Sequence, residues 1–392
     1  MDDTLVVRLM LTAGLSVAVV GAVTVVLIYL LSRRVRRPKP PRAVQPSLGW
    51  SGFEVFAAFF LFMIFNQVAA SALQEALVSA GFFRSLYGPD FPVDVPAEPT
   101  PAQRAAATVR YLWVHVLVFP ALLAAMMLIP RLLKIANPFR GRRWSSAVVA
   151  GYLTWLIVTP AAFCVFVLAS ITHMKLTGRA PEKHPLTALG ELAGRREWAL
   201  EWALFVLQTV VIAPVIEEWL FRGVLLPWLI QKRPSPAAAA SPFTVLPGAR
   251  PLLVLIMAIC VATALTLGTD WLARPDEVRR TLADPTAAAA SYFVPAGFFL
   301  ALVPLLYILP RWSWARRHLR IRSSQQVRGI LASAALFAAF HSHVWPSPIP
   351  LLVLALGLGY LYLRTRNLIA PIVVHSLFNA VSAVYLLLGG PA

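Results

Sequence analysis

Charge is what this sequence has least of for its size. Only 13% of its 392 residues are Asp, Glu, Lys or Arg, while 59% are hydrophobic. A water-soluble chain of this length has no way to hide so much apolar surface, which excludes an ordinary soluble enzyme. Cysteine is nearly absent. Cys164 and Cys260 both lie inside apolar runs and neither has a CxxC partner, so neither a disulfide framework nor a zinc knuckle is implied, and both read as packing residues. Acidic residues are half as numerous as basic ones, 17 against 35, giving a net charge of +18. In a soluble protein that excess would point to nucleic acid. Here the basic residues gather in short loops beside apolar runs, as membrane topology requires, and no RNA- or DNA-binding pattern accompanies them. Nucleic acid is therefore excluded as a partner. A secretory signal is missing too. The N-terminus is acidic first and basic last, around a long apolar stretch, which reads as an uncleaved transmembrane helix.

Apolar runs of roughly 18 residues or more read as membrane-spanning helices, and ten can be drawn: 5–32, 52–80, 106–130, 146–171, 199–229, 251–269, 291–309, 329–345, 349–363 and 368–388. The expected fold class is all-α, a polytopic transmembrane helical bundle of about 8–10 spans, in direct contact with the lipid bilayer. With the N-terminus outside, the inner loops hold 22 Lys and Arg and no acidic residue, and the outer loops hold 10 Lys and Arg. That bias predicts both termini outside. The loop 88–103 is acidic and Pro-rich, the linker 36–47 is basic and Pro-rich, and the inner loop 231–251 is small and flexible in composition. No fixed-period repeat occurs.

Ionisable residues within transmembrane helices are rare and are candidates for function, because hydrocarbon does not solvate them. Three sets occur, each with helical spacing. In PVIEEWLFRG (214–223), Glu218 and Arg222 stand at i, i+4 and share a face where they can pair, while Glu217 is one residue out of step and points elsewhere. Pro214, three residues before Glu217, is placed to kink the helix and admit water. In LFAAFHSH, Phe337 and His341 are again i, i+4, and His343 lies on another face. In PIVVHSLFNAV, His375 and Asn379 repeat the spacing. Each set has a plain structural reading: a buried salt bridge, a core histidine, and an interhelical hydrogen-bonding pair. Their depths favour more than that. Glu217, His341 and His375 fall 13, 13 and 8 residues from their inner loops, and at ~1.5 Å per residue all lie roughly 12–20 Å inside the inner surface. That points to one buried, water-accessible site.

A carboxylate, two imidazoles and an amide suit hydrolysis by activated water. Glu217 is the base, a histidine shares or returns the proton, and Asn379 with the second histidine meets an oxyanion. The nitrogen and oxygen donors of Glu217, His341 and His375 would also suit zinc, so the cofactor is either none or zinc. The chain has neither HExxH nor GxSxG.

EExxxR (Glu217, Glu218, Arg222), FxxxH (Phe337, His341) and HxxxN (His375, Asn379) in this order resemble the signature of the CPBP family. These are the CAAX-protease and bacteriocin-processing (abortive-infection) proteins, similar to the prenyl-protein endopeptidase Rce1. The stretch 356–381 resembles the family's helix, basic turn and helix before its last motif. The resemblance implies an all-helical intramembrane endopeptidase, with Glu217, His341, His375 and Asn379 catalytic and Glu218, Arg222 and Phe337 supporting. It implies a peptide or membrane-protein substrate and leaves the metal question open. It covers about 197–390, following an N-terminal region of four spans over 1–196. From Arg222 to Phe337 is 115 positions, longer than the family's usual spacing, which predicts a two-helix insertion at about 231–325. An even number of inserted spans would keep the motifs in mutual register. The Ala-, Pro- and Arg-rich composition points to a bacterial inner membrane. The competing reading is a non-proteolytic scaffold or transporter that uses the same polar cluster structurally or as a proton relay.

Overall fold

A computed structural model of the chain describes residues 50–64, 68–93, 100–132, 144–177, 199–231, 245–268, 275–284 and 288–387. Among these there is no strand, and the elements are helices joined by turns. In chain order they are α1 (Gly52–Ile64), α2 (Ala70–Ser79), α3 (Phe82–Tyr87), α4 (Pro101–Leu132), α5 (Trp144–Thr177), α6 (Ala199–Ile230), α7 (Arg250–Leu267), α8 (Pro275–Ala283), α9 (Ser291–Arg311), α10 (Ser313–His318), α11 (Ser324–Ala339), α12 (Pro348–Thr365) and α13 (Ile369–Leu387). Six of them are long and apolar enough to cross a membrane: α5, α6, α7, α9, α12 and the stretch Ala102–Ile129 of α4. The fold is an all-α polytopic helical bundle, as the hydropathy requires.

Three of the ten drawn spans differ from the structure or lie beyond it. The 5–32 span is outside the described residues. The 52–80 span is represented by two helices, α1 and α2, with 65–67 between them outside the description. The 329–345 span is displaced toward the N-terminus. Its helix, α11, runs from Ser324 to Ala339, and residues 340–347 form turns. Ser323 sets the start, since its side chain accepts from the Gln326 N–H while the Gln326 side chain accepts from the Arg322 N–H at 2.9 Å, a reciprocal cap. Prolines at 346, 348 and 350 exclude continuation at the other end. Between the first and second motifs, both α7 and α9 are long and apolar enough to span.

Proline shapes this bundle by freeing carbonyls. In the middle of α6 two stretches, Leu207–Ile212 and Trp219–Leu225, are wound as π-helix, flanking the α-helical Ala213–Glu218. The Ala213 N–H bonds five residues back to Gln208 O. The same spacing would pair Thr209 O with Pro214, which has no N–H, and the Asn379 amide donates to Thr209 O at 2.8 Å instead. Pro227 likewise has no hydrogen for Gly223 O, four residues back, and the Trp50 indole donates there at 3.2 Å. Pro310 leaves Leu306 O free, and Arg328 Nε donates to it at 3.1 Å. A membrane interior offers no water to these carbonyls, so a neighbouring side chain must satisfy each one. The C-terminal end of α6 is closed the same way: Arg250 Nη1 donates to Trp228 O at 2.8 Å and Gln325 Nε2 to Leu229 O at 2.6 Å.

Small residues set the helix spacing elsewhere. α5 packs on α12 and α13, and α11 on α7, α12 and the end of α6. A Cβ on Gly151 of α5 would meet Ala370 O at 2.6 Å and Val373 Cβ at 2.9 Å, so α5 and α13 touch backbone to backbone. Gly357 faces Val158 and Gly329 faces Ile230 in the same manner. We expect Gly151→Ala to lower stability by about 1–3 kcal/mol through overpacking. Gly297→Ala, with nothing within 4 Å, should be neutral or better. Thermal unfolding of the purified protein in detergent reads both, and equal midpoints would refute the close approach of α5 and α13.

Candidate active site

Four helices meet at the predicted polar residues. α6 carries Glu217, Glu218 and Arg222, α11 carries Phe337 in its last turn and leads into His341, α12 presents the Ala355 carbonyl, and α13 carries His375 and Asn379. Arg222 and Glu218 pair as the spacing predicts, Nη1 to Oε1 at 2.8 Å, and both side chains are out of contact with solvent. An ion pair so buried needs further partners, because the desolvation of both charges is large. Arg222 has two: Nη2 donates to Ala355 O at 3.2 Å, and the guanidinium lies over the Phe337 ring at 4.8 Å.

Glu218 has a second partner of its own. His375 Nδ1 lies 2.9 Å from the same Oε1 that Arg222 holds. Because a carboxylate oxygen only accepts, Nδ1 carries the hydrogen. The ring is thereby fixed so that Nε2 faces Glu217, at 3.9 Å from Oε2, which is beyond a direct hydrogen bond. Phe337 stands edge-on to that imidazole with centroids 5.6 Å apart. The two adjacent carboxylates are thus in different environments. The Glu218 side chain is 0% exposed and Glu217 is 23% exposed. Glu217 Oε2 is itself buried, and among the described residues no donor bonds to it.

His341 sits one residue beyond the C-cap of α11, in the first turn after the helix rather than inside it. Its Nδ1 lies 3.0 Å from Phe337 O, one of the carbonyls that a helix end leaves unpaired. A carbonyl only accepts, so Nδ1 again donates and Nε2 keeps its lone pair. The rings of Phe337 and His341 are 5.1 Å apart, so Phe337 touches both imidazoles and the guanidinium. His343 is exposed on the far side of the turn. Asn379 is on the predicted face of α13, one turn past His375, but one of its two amide hydrogens is committed to Thr209 O.

Glu217, Glu218, Arg222, Phe337 and His375 therefore form one network, His341 borders it through Phe337, and Asn379 adjoins it through the π-wound part of α6. Sequence spacing shows the pair on α6 but not the link from Glu218 to His375, which depends on how α6 and α13 lie together. It also misses two backbone acceptors, Ala355 O and Thr209 O. The second had a signal, a proline five residues on. Tyr111 of α4, 45% exposed, is a further neighbour, close enough to feel the Glu217 charge. Nothing in its local sequence marks it.

The three candidate zinc donors, Glu217, His341 and His375, are not gathered as a ligand set, and among the described residues no three His, Cys, Asp or Glu side chains are. Both imidazoles spend Nδ1 on protein acceptors, and only one carboxylate faces a free Nε2.

Residues 199–303 and 305–381 match the family model described as Type II CAAX prenyl endopeptidase Rce1-like, the family that the three motifs resemble. No curated protein and no solved structure matches the chain. The matched region contains every residue of the cluster and both helices, α7 and α9, that lie between its first two motifs.

Glu218→Gln should strip Arg222 of its counter-ion and lower stability by about 3–5 kcal/mol, whereas Glu218→Gln combined with Arg222→Met should recover much of that loss. Unfolding midpoints in detergent measure both. A harmless Glu218→Gln would show that the pair does not organise these helices.

Proposed function

We propose, from a C-terminal region that is Rce1-like, that this protein is an intramembrane endopeptidase that hydrolyses a peptide bond with water activated by Glu217 and His341. The observation that carries the reading is the division of labour between the two carboxylates. Arg222 and His375 both occupy Glu218 Oε1 and that side chain, with its unbonded Oε2, is sealed from solvent, while Glu217 is partly open and no donor bonds to its Oε2. A base that must take a proton from water needs such an unengaged oxygen.

In the proposed reaction the water is held between the Glu217 carboxylate and the Nε2 lone pair of His341. Glu217 takes one proton as the water oxygen bonds to the scissile carbonyl carbon. The carbonyl oxygen becomes an oxyanion, which the charged His375 and the remaining amide hydrogen of Asn379 stabilise. The C–N bond then breaks and Glu217 returns its proton to the leaving amine, so the site ends as it began. Glu218 and Arg222 act by fixing His375, and Phe337 packs the three groups in place.

The substrate class is a peptide or membrane protein, cut near the cytoplasmic surface. The depth of Glu217 in α6 supports that position, as does the positive bias of the loops on that side. The bacterial inner membrane and outward termini belong to the same proposal.

Glu217→Gln tests it. We expect peptidase activity to fall by about 10²–10⁴-fold with little change in the unfolding midpoint, since His375 stands 3.9 Å from the Glu217 carboxylate, beyond a hydrogen bond. The readout is the set of membrane-protein N-termini in cells carrying the native chain or the variant at matched expression. N-termini that vanish with the variant would show proteolysis and identify substrates together. The same N-termini in both would favour a scaffold or proton relay, for which this near-isosteric change is mild.

A further inference from the structure

The loops that precede α11 and α13 form a second polar centre, remote from the carboxylates. One is the segment from Arg311 to Ser323, and the other is the turn Arg364–Asn367. Tyr360 OH donates to Leu319 O at 3.1 Å, which fastens the first segment to α12 beside that turn. Arg322 and Arg366 are near enough for their like charges to act on one another. Arg366 is also partly withdrawn from water, and that burial pulls its pKa below the usual arginine value. A half-buried guanidinium held beside an exposed one of like charge is offset by an anion placed between them.

No carboxylate supplies it. The chain has no acidic residue after Asp284, and among the described residues none pairs with Arg316, Arg322 or Arg366. Arg316 Nε and Arg366 Nε are buried, and no acceptor bonds to them among the described residues. Beside this centre the surface is aromatic and apolar: Trp312 is 59% exposed, Trp314 67% and Leu319 46%. They follow directly on the end of a membrane-crossing helix, α9. Tryptophan belongs at the level of lipid headgroups, and arginine beside it finds their phosphates.

We propose that Arg322 and Arg366, with Arg316, form a headgroup site for an anionic phospholipid at the end of the bundle where α11 and α13 begin. The phosphate bridges the two guanidinium groups while Trp312 and Trp314 lie among the acyl-chain roots. Arg322 is two residues before α11, and Asn367, whose Oδ1 accepts the Ile369 N–H at 2.9 Å, opens α13. A bound headgroup would therefore tie together the start of the helix that leads into His341 and the start of the helix that carries His375.

The backbone offers a clean variant. Arg366 has φ of 52°, a left-handed conformation that glycine adopts without strain. Arg366→Gly should leave the unfolding midpoint without lipid unchanged or raised. The purified full chain is titrated with vesicles of phosphatidylglycerol or of phosphatidylcholine and read by thermal unfolding and native mass spectrometry. We expect phosphatidylglycerol, not phosphatidylcholine, to stabilise the native chain. Arg366→Gly and Arg322→Gln should each weaken that binding on the order of fivefold or more, the worth of one basic side chain at an anionic surface. Arg131→Gln, on the last turn of α4, should leave it intact. Equal stabilisation by both lipids, undiminished binding in Arg366→Gly, or the same stabilisation from inorganic phosphate alone would overturn the proposal. The last outcome would assign the site to a free anion.

Discussion

A charged pair with no water around it is the constraint on which this bundle is organised. Glu218 and Arg222 are wholly buried, and burying two charges costs more than their attraction returns unless every remaining donor and acceptor is met. The pair recruits one group from each of three other helices, while Glu218 Oε2 and Arg222 Nε have no hydrogen-bond partner among the described residues. Ala355 O comes from α12, the Phe337 face from α11, and His375 Nδ1 from α13. Each partner is fixed in direction, since a hydrogen bond or a cation over a ring tolerates little misplacement. The pair therefore acts as a gauge of how four helices sit together, and the orientation of His375 toward Glu217 follows from it rather than from any contact of Glu217's own.

The second constraint is the backbone of α6. An unbroken α-helix would satisfy all its own carbonyls and offer nothing to its neighbours. Prolines at 214 and 227, with π-wound turns around them, leave Thr209 O and Gly223 O to be met by Asn379 and Trp50. These are polar contacts at fixed heights on an otherwise apolar surface, so they set the register of α13 and of the chain entering α1 against α6. π-Turns are found mostly at functional positions, and here two of them flank the adjacent carboxylates. The widened turn costs some helix regularity, and the interhelical hydrogen bonds offset that cost.

Much of this was legible in the sequence, and what was not has a common cause. Hydropathy gave the all-α membrane fold, and i, i+4 spacing gave the pairing of Glu218 with Arg222, because both are properties of one helix. The divergence of Glu217 from Glu218 was also readable, since neighbours on a helix point about 100° apart. The reach of His375 to Glu218 was not, because two helices 157 residues apart must first be placed side by side. Hydropathy also extended the 329–345 span past its true end. An apolar Phe340 and Val344 look like helix, yet the prolines beyond them and the reciprocal cap at Ser323 move the helix toward the N-terminus. That shift matters chemically. It puts His341 in a turn where a free carbonyl, Phe337 O, can fix its tautomer.

The matched region does not close on itself. Its helices rest on parts of the chain outside 199–381: Trp50 enters from before α1 to meet Gly223 O, Gly151 lets α5 lie backbone to backbone on α13, and Tyr111 of α4 stands within reach of the Glu217 charge. α5 packs on both α12 and α13, so it supports the helix that carries His375 along much of its length. The N-terminal end of α6 is tied down separately. There the buried Glu201 accepts from Tyr87 OH, which in turn accepts from the Trp113 indole at 2.8 Å. Burial and the Glu201 carboxylate push the Tyr87 hydroxyl well above its usual pKa, so it stays a donor throughout the working range of pH. The N-terminal helices are therefore part of the frame that holds the polar cluster. A chain trimmed to the matched region would keep all the candidate residues and lose the contacts that aim them.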